Sequence, residues 1–128
     1  MPPTLTPDTL SDRLIDFGAA VCEAIRELPK GLVTNHLARQ VIRSATSPAA
    51  NYAEARSAES RRDFVHKMQV CLKELRETSL WLRFAARLGG PKAEVGALEA
   101  ECQELIAVFV RSINTAKASG SQRRGATS

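Results

Sequence analysis

The sequence predicts an all-α protein, an antiparallel up-down four-helix bundle, on three observations. Apolar residues recur at steps of three and four through four separate stretches. Compact turn signals divide those stretches: Leu28-Pro29-Lys30-Gly31, Arg56-Ser57-Ala58-Glu59 and Gly89-Gly90-Pro91. Aromatic residues make up only 5% of the 128-residue chain, while Leu and Ala are abundant. A chain of this length makes one domain. The expected boundaries are a flexible N-terminus over 1–7, the bundle over 8–116, and a disordered basic tail over 117–128.

The first helix follows a proline-rich start and is capped by Thr6 or Asp8. Its core positions are Leu10, Leu14, Phe17, Val21, Ile25 and Leu28. Asp12, Asp16, Glu23 and Glu27 fall in a band on the opposite side, a solvated face or a surface for a basic partner. Pro29 and Gly31 end the helix, and Thr34 is the expected cap of the second.

The second helix carries its core on Leu37, Val41, Ala45, Pro48, Tyr52 and Ala55. Pro48 removes a backbone donor and predicts one kinked helix, because the polar pattern keeps its phase through it. That pattern is a row along one edge of the core: Gln40, Arg43, Ser47, Asn51 and Glu54.

Ser60 and Asp63 resemble a capping box for a third helix reaching Leu88. Its main stripe is Phe64, Met68, Cys71, Leu72, Leu75, Leu82 and Ala86. Val70, Trp81, Phe84 and Leu88 form a second apolar patch facing elsewhere, the expected subunit interface. The fourth helix starts past Gly89-Gly90-Pro91 and packs through Val95, Leu98, Cys102, Leu105, Ile106, Phe109 and Ile113.

A short turn makes the second and third helices antiparallel. With the turn centred near Ala58, facing positions sum to about 117. Arg43 then meets Glu74, Asn51 meets His66, and Glu54 lies near Asp63 and Lys67. The expectation is a partly buried Arg43–Glu74 ion pair, with Ser47 and Asn51 bonding across the same seam.

These residues carry a resemblance. Gln40-x-x-Arg43, Ser47-x-x-x-Asn51-x-x-Glu54, Asp63-Phe64, and Leu72-x-Glu74-Leu75 with Leu82 and Leu88-Gly89 are similar to the signature of a bacterial four-helix-bundle family. Its members were first met in intervening sequences of 23S ribosomal RNA genes. The resemblance covers roughly residues 8–115 and implies an up-down bundle assembled into a homo-oligomeric ring, typically a pentamer. The accessory protein of diversity-generating retroelements is distantly similar, and binds nucleic acid and a reverse transcriptase. The chain departs from the family pattern at Tyr52, where an aliphatic residue is usual, and at Ala55-Arg56, where glycine would follow Glu54.

The net charge of +4 is unevenly spread. Residues 1–30 and 91–110 are acidic on balance, and residues 31–90 and the last eighteen are basic. Arg39, Arg56, Arg61 and Arg62, expected at one end of the second and third helices, and Arg123 and Arg124 in the tail, are the candidate phosphate contacts. With so few aromatics for stacking, binding to RNA or DNA would be sequence-blind and salt-sensitive. A protein-only scaffold for a genetically linked partner is the alternative.

No catalytic constellation is legible. Asp63-x-x-His66 has metal-pair spacing, but His36 lacks an acidic residue three positions before it, and a dinuclear site needs two such pairs. No nucleophile has an evident base, and no phosphate loop exists. The reading is a non-enzyme without cofactor or metal. Three cysteines far apart, Cys22, Cys71 and Cys102, read as free thiols, and without an apolar run or leader the chain is expected in the cytoplasm.

Overall fold

A computed structural model of the chain describes residues 5–127, and the side chains of residues 5–120. Four helices follow one another: α1 (Pro7–Arg26), α2 (Leu32–Arg56), α3 (Arg61–Arg87) and α4 (Lys92–Thr127). There is no strand among the described residues. The widest interfaces are α2 on α3 and α3 on α4, followed by α1 on α2, with the slightest between α1 and α4. The diagonal helices α1 and α3 hardly touch, so their outer faces point away from opposite corners.

All six predicted core positions of α1 and all six of α2 are buried, because a 3.6-residue period puts them on one stripe of each helix. On α3 the buried side includes Thr78, Ser79 and Ala85, where the apolar pattern pointed to Ala86 instead. Thr78 is tolerated there because its hydroxyl bonds the Glu74 carbonyl and Ser44 Oγ, at 2.8 and 2.9 Å.

Thr6 is the cap of α1. It exchanges hydrogen bonds with Thr9, and Pro7 takes the first helical position, where its missing N–H costs nothing. The expected loose segment 1–7 is therefore structured at Thr6 and Pro7, while residues 1–4 lie outside the described residues. Thr34 is not the cap of α2, which begins at Leu32. Its hydroxyl donates backwards to the carbonyls of Pro29 and Gly31, pinning the preceding turn. The helix runs on through Pro48 to Arg56.

Ser60 caps α3, its hydroxyl accepting from the Asp63 N–H at 3.0 Å. Among the described residues the carboxylate makes no return bond, since aspartate is one methylene shorter than the usual glutamate. Helix α4 passes the expected boundary at Lys117 and reaches Thr127. Ala116 is buried, and Arg61 donates to its carbonyl at 3.1 Å, so this stretch still has a neighbour.

Candidate functional site

The seam between α2 and α3 follows the antiparallel register. Arg43 Nη1 lies 2.9 Å from Glu74 Oε2, and Nη2 lies 2.5 Å from Glu77 Oε1. The Glu74 side chain is 12% exposed, whereas Arg43 is 51% exposed and half in water. Glu77 also accepts from the Trp81 indole N–H at 3.3 Å, and Trp81 stands edge-on to His36. The Arg43 hydrogen bond, chiefly, holds the Glu77 carboxyl below the ordinary carboxylate range, with the Trp81 bond adding to it.

Lys67 Nζ lies 2.9 Å from Glu54 Oε2, and Gln40 is half-buried at the other end of the row. Asn51 does not meet His66. Its amide donates to the Ser47 carbonyl and hydroxyl, at 3.1 and 2.9 Å, within the same helix. A short side chain reaches one turn back more easily than across an interface. His66 is exposed.

Two outer faces carry opposite charge. On α1, Asp12, Asp16, Glu23 and Glu27 are all exposed in a band to one side of Ile15, itself 56% exposed, and Arg26 lies 3.4 Å from Glu23 at the edge of that band. On α3, Arg62, Lys73, Arg76, Arg83 and Arg87 are exposed along one outward stripe that contains no carboxylate. Leu80, Phe84 and Leu88 interrupt it as exposed apolar side chains, at 46%, 47% and 40%. Trp81 and Val70 of the predicted patch are half-buried, and Trp81 also packs on the core. The basic stripe escaped the sequence reading, which tracked apolar positions on this helix; the same 3.6 period applied to Arg and Lys finds it.

The predicted phosphate contacts divide. Arg39 stands near the start of α2, about 25 Å along the helix from Arg56, and belongs to the other end of the bundle. Arg56 reaches Asp8 at 2.8 Å and Ser11 at 3.1 Å on α1. Arg61 holds the Ala116 carbonyl, and two cavities flank it. One, of about 600 Å³, is lined by Arg62, His66, Gln69 and Lys117 without a carboxylate. The other, of about 540 Å³, is lined by Pro7, Tyr52, Ser60 and Phe64. The side chains of Arg123 and Arg124 lie outside the described residues.

Between α1 and α4, Arg13 grips Glu101 through two hydrogen bonds, at 2.6 and 2.7 Å, and reaches Glu104 at 2.6 Å. A third cavity, of about 760 Å³, sits at the far end of this pair, between Glu23, Glu27 and Glu94. Among the described residues no three His, Cys, Asp or Glu side chains are placed to share a metal ion. Burial pushes the Cys71 and Cys102 thiols up to about 12, which leaves them protonated and poor nucleophiles. No described helix is long and apolar enough to cross a membrane.

A family profile described as 23S rRNA-intervening sequence protein matches residues 10–120. A crystal structure of a protein of unknown function from the S23 ribosomal protein family of Bacteroides thetaiotaomicron is 27% identical, with a TM-score of 0.72. That match covers 81% of this chain and 97% of the other. No curated protein matches the sequence.

Proposed function

The chain belongs to the 23S rRNA-intervening sequence protein family, and on that premise we propose that it is a non-catalytic interaction module of the cytoplasm, assembled from copies of itself, whose basic end contacts nucleic acid. The observation that carries the reading is that one chain exposes two faces of opposite charge, each with apolar side chains in or beside it. The Leu80–Phe84–Leu88 strip with its arginine border matches in charge and apolar content the acidic face of α1 beside Ile15. Because the two faces belong to diagonal helices, each copy offers both, and a head-to-tail contact repeats until the rotation closes. Five copies is the number that the resemblance implies.

Mass under native conditions tests the assembly. A closed oligomer at low salt that Phe84→Glu reduces to monomer supports it; a wild-type monomer at micromolar concentration refutes it. The basic end is tested by titrating single-stranded RNA and DNA at two salt concentrations. Binding that weakens with salt and ignores sequence is expected. Absence of binding at low salt removes the nucleic-acid part.

A protein-only scaffold is the second reading, favoured by the acidic cavity of Glu23, Glu27 and Glu94, which suits a basic segment of a genetically linked protein such as a reverse transcriptase. Co-purification from the native host with nuclease treatment separates the two.

A further inference from the structure

The outward face of α3 carries a slot shaped for one side chain. Leu80, Arg83, Phe84 and Arg87 line an open cavity of about 200 Å³. These positions are i, i+3, i+4 and i+7, the four that bound a hole for a single knob from a facing helix. Leu80 and Phe84 are its apolar walls, both exposed. Neither arginine meets a carboxylate among the described residues, and Arg87 donates to the Arg83 carbonyl at 3.2 Å, which lays its guanidinium along the helix. On α1, Ile15 is an exposed apolar knob. Asp12 and Asp16, on its own helix, meet no cation among the described residues. A knob beside two unpaired carboxylates is the complement of a hole beside two unpaired guanidinium groups.

We propose that the slot receives Ile15 of a neighbouring copy, with α1 of one copy parallel to α3 of the next, a contact that rests on the self-assembly argued above. The direction follows from where the charges lie. Viewed from its N-terminus, a right-handed helix carries each later residue about 100° clockwise. On α1 the acidic band lies about 60–120° clockwise of Ile15. On α3 Arg76, Arg83 and Arg87 lie counter-clockwise of both Leu80 and Phe84. When two parallel helices face each other, the clockwise flank of one meets the counter-clockwise flank of the other. Carboxylates and guanidinium groups therefore share a flank only in the parallel arrangement. Turning α3 end for end puts them on opposite sides of the contact.

Seating Ile15 in the slot sets Arg83 between Asp12 and Asp16, and Arg87 beside Ala19. Phe84 and Leu88 then turn toward the join of α1 and α2, where Ile42 is also exposed. Arg26 lies about 16 Å farther along α1, beyond the end of α3 in this register, and stays clear of Arg83 and Arg87. Within a copy α1 and α3 already run the same way, since Asp8 meets Arg56 and Arg61 meets Ala116 at one end of the bundle. Copies joined by parallel contacts all point in one direction. The ends that carry Arg61, Arg62 and Lys117 thus gather on one side of the assembly.

The test uses the full chain with Cys22→Ala and cysteines added at exposed positions, oxidised at low salt. Ala19→Cys with Arg87→Cys sets thiols opposite each other across the parallel contact, and Ala19→Cys with Leu80→Cys does so across an antiparallel one. The first pair should give a ladder of linked multimers on a denaturing gel, with about tenfold more product than the second. Phe84→Cys alone, which links copies only where α3 lies on α3, should give no dimer. Ile15→Ala in the otherwise native chain should weaken assembly about tenfold, read by native mass against concentration. A ladder from the second pair in place of the first overturns the parallel contact. A dimer through Phe84→Cys, or assembly unchanged in Ile15→Ala, overturns Ile15 as the occupant. No ladder from either pair, with the wild type still oligomeric, overturns the slot and leaves the assembly reading intact. A wild-type monomer removes both.

Discussion

Arg43 of α2 and Glu74 of α3 meet across the seam at 2.9 Å, on the register that a turn centred at Ala58 dictates. The two ends of the pair live in different surroundings. Glu74 is nearly covered, while half of Arg43 stays in water and shares itself with Glu77. Burial of only one partner limits both the desolvation cost and the Coulombic gain.

The coupling between the two should therefore be that of a surface pair. A double-mutant cycle with Arg43→Ala and Glu74→Ala, read by urea unfolding, should give about 0.5–1 kcal/mol. Strict additivity would dismiss the pair. A coupling of several kcal/mol would mean that Arg43 is buried in solution, as an oligomer contact could arrange.

Acid should weaken the same seam. The Glu77 carboxyl titrates below its ordinary value, chiefly because it accepts from Arg43. A group with a depressed folded value contributes stability that is complete above its unfolded value of about 4.3 and is lost as pH falls through the folded one. Glu77→Gln should lower stability at pH 7 and cost progressively less on going to pH 3. Parallel curves for the two proteins across that range would contradict the assignment.

The thiols should separate in reactivity. Cys71 and Cys102 are buried and pushed up to about 12, and each donates to a carbonyl, of Pro48 and of Leu75 respectively. Cys22 is only half-buried. Titration of the native protein with a thiol reagent near pH 8 should modify Cys22 alone, and all three in denaturant. Rapid labelling of Cys71 or Cys102 would show that the core opens.

Gly18 should resist replacement. A Cβ there would stand 2.9 Å from the Ala45 carbonyl oxygen, where α1 crosses α2 with almost nothing between the backbones. Alanine would gain about 1 kcal/mol of helix propensity. Backbone against backbone cannot yield as a flexible side chain does, and separating the helices loosens a packed core at a cost of about 1–3 kcal/mol. Gly18→Ala should therefore destabilise the protein on balance. An increase in melting temperature would indicate that the crossing is loose.

Why Gly18 escaped the sequence, while Val21 beside it did not, is a matter of geometry. Periodicity identifies which side of a helix turns inward, and the stripes of α1 and α2 follow from it. It does not fix how closely two helices approach or how each rotates. Arg13 with Glu101, and Arg56 with Asp8, join residues distant in sequence, and those pairs depend on exactly such rotations. The α2–α3 seam could be read in advance, since a four-residue turn ties its register and both helices carry charged side chains along that edge. Even there Asn51 chose a bond within its own helix.

The pairing of unlike faces makes a prediction about mixtures. A variant with Asp12→Lys, Asp16→Lys, Glu23→Lys and Glu27→Lys presents positive charge on both α1 and α3. A second with Lys73→Glu, Arg76→Glu, Arg83→Glu and Arg87→Glu presents negative charge on both. Each alone should lose the low-salt assembly, because every head-to-tail contact now sets like charges together. Mixed in equal amounts they should associate again, since each variant's α1 meets the other's α3. Alternation requires an even number of copies, so a five-membered ring cannot be restored without one repulsive joint. The mixture should accordingly give an even-numbered or open species, distinct in native mass from the wild type. Full assembly of either variant alone at low salt would show that these faces do not make the contact.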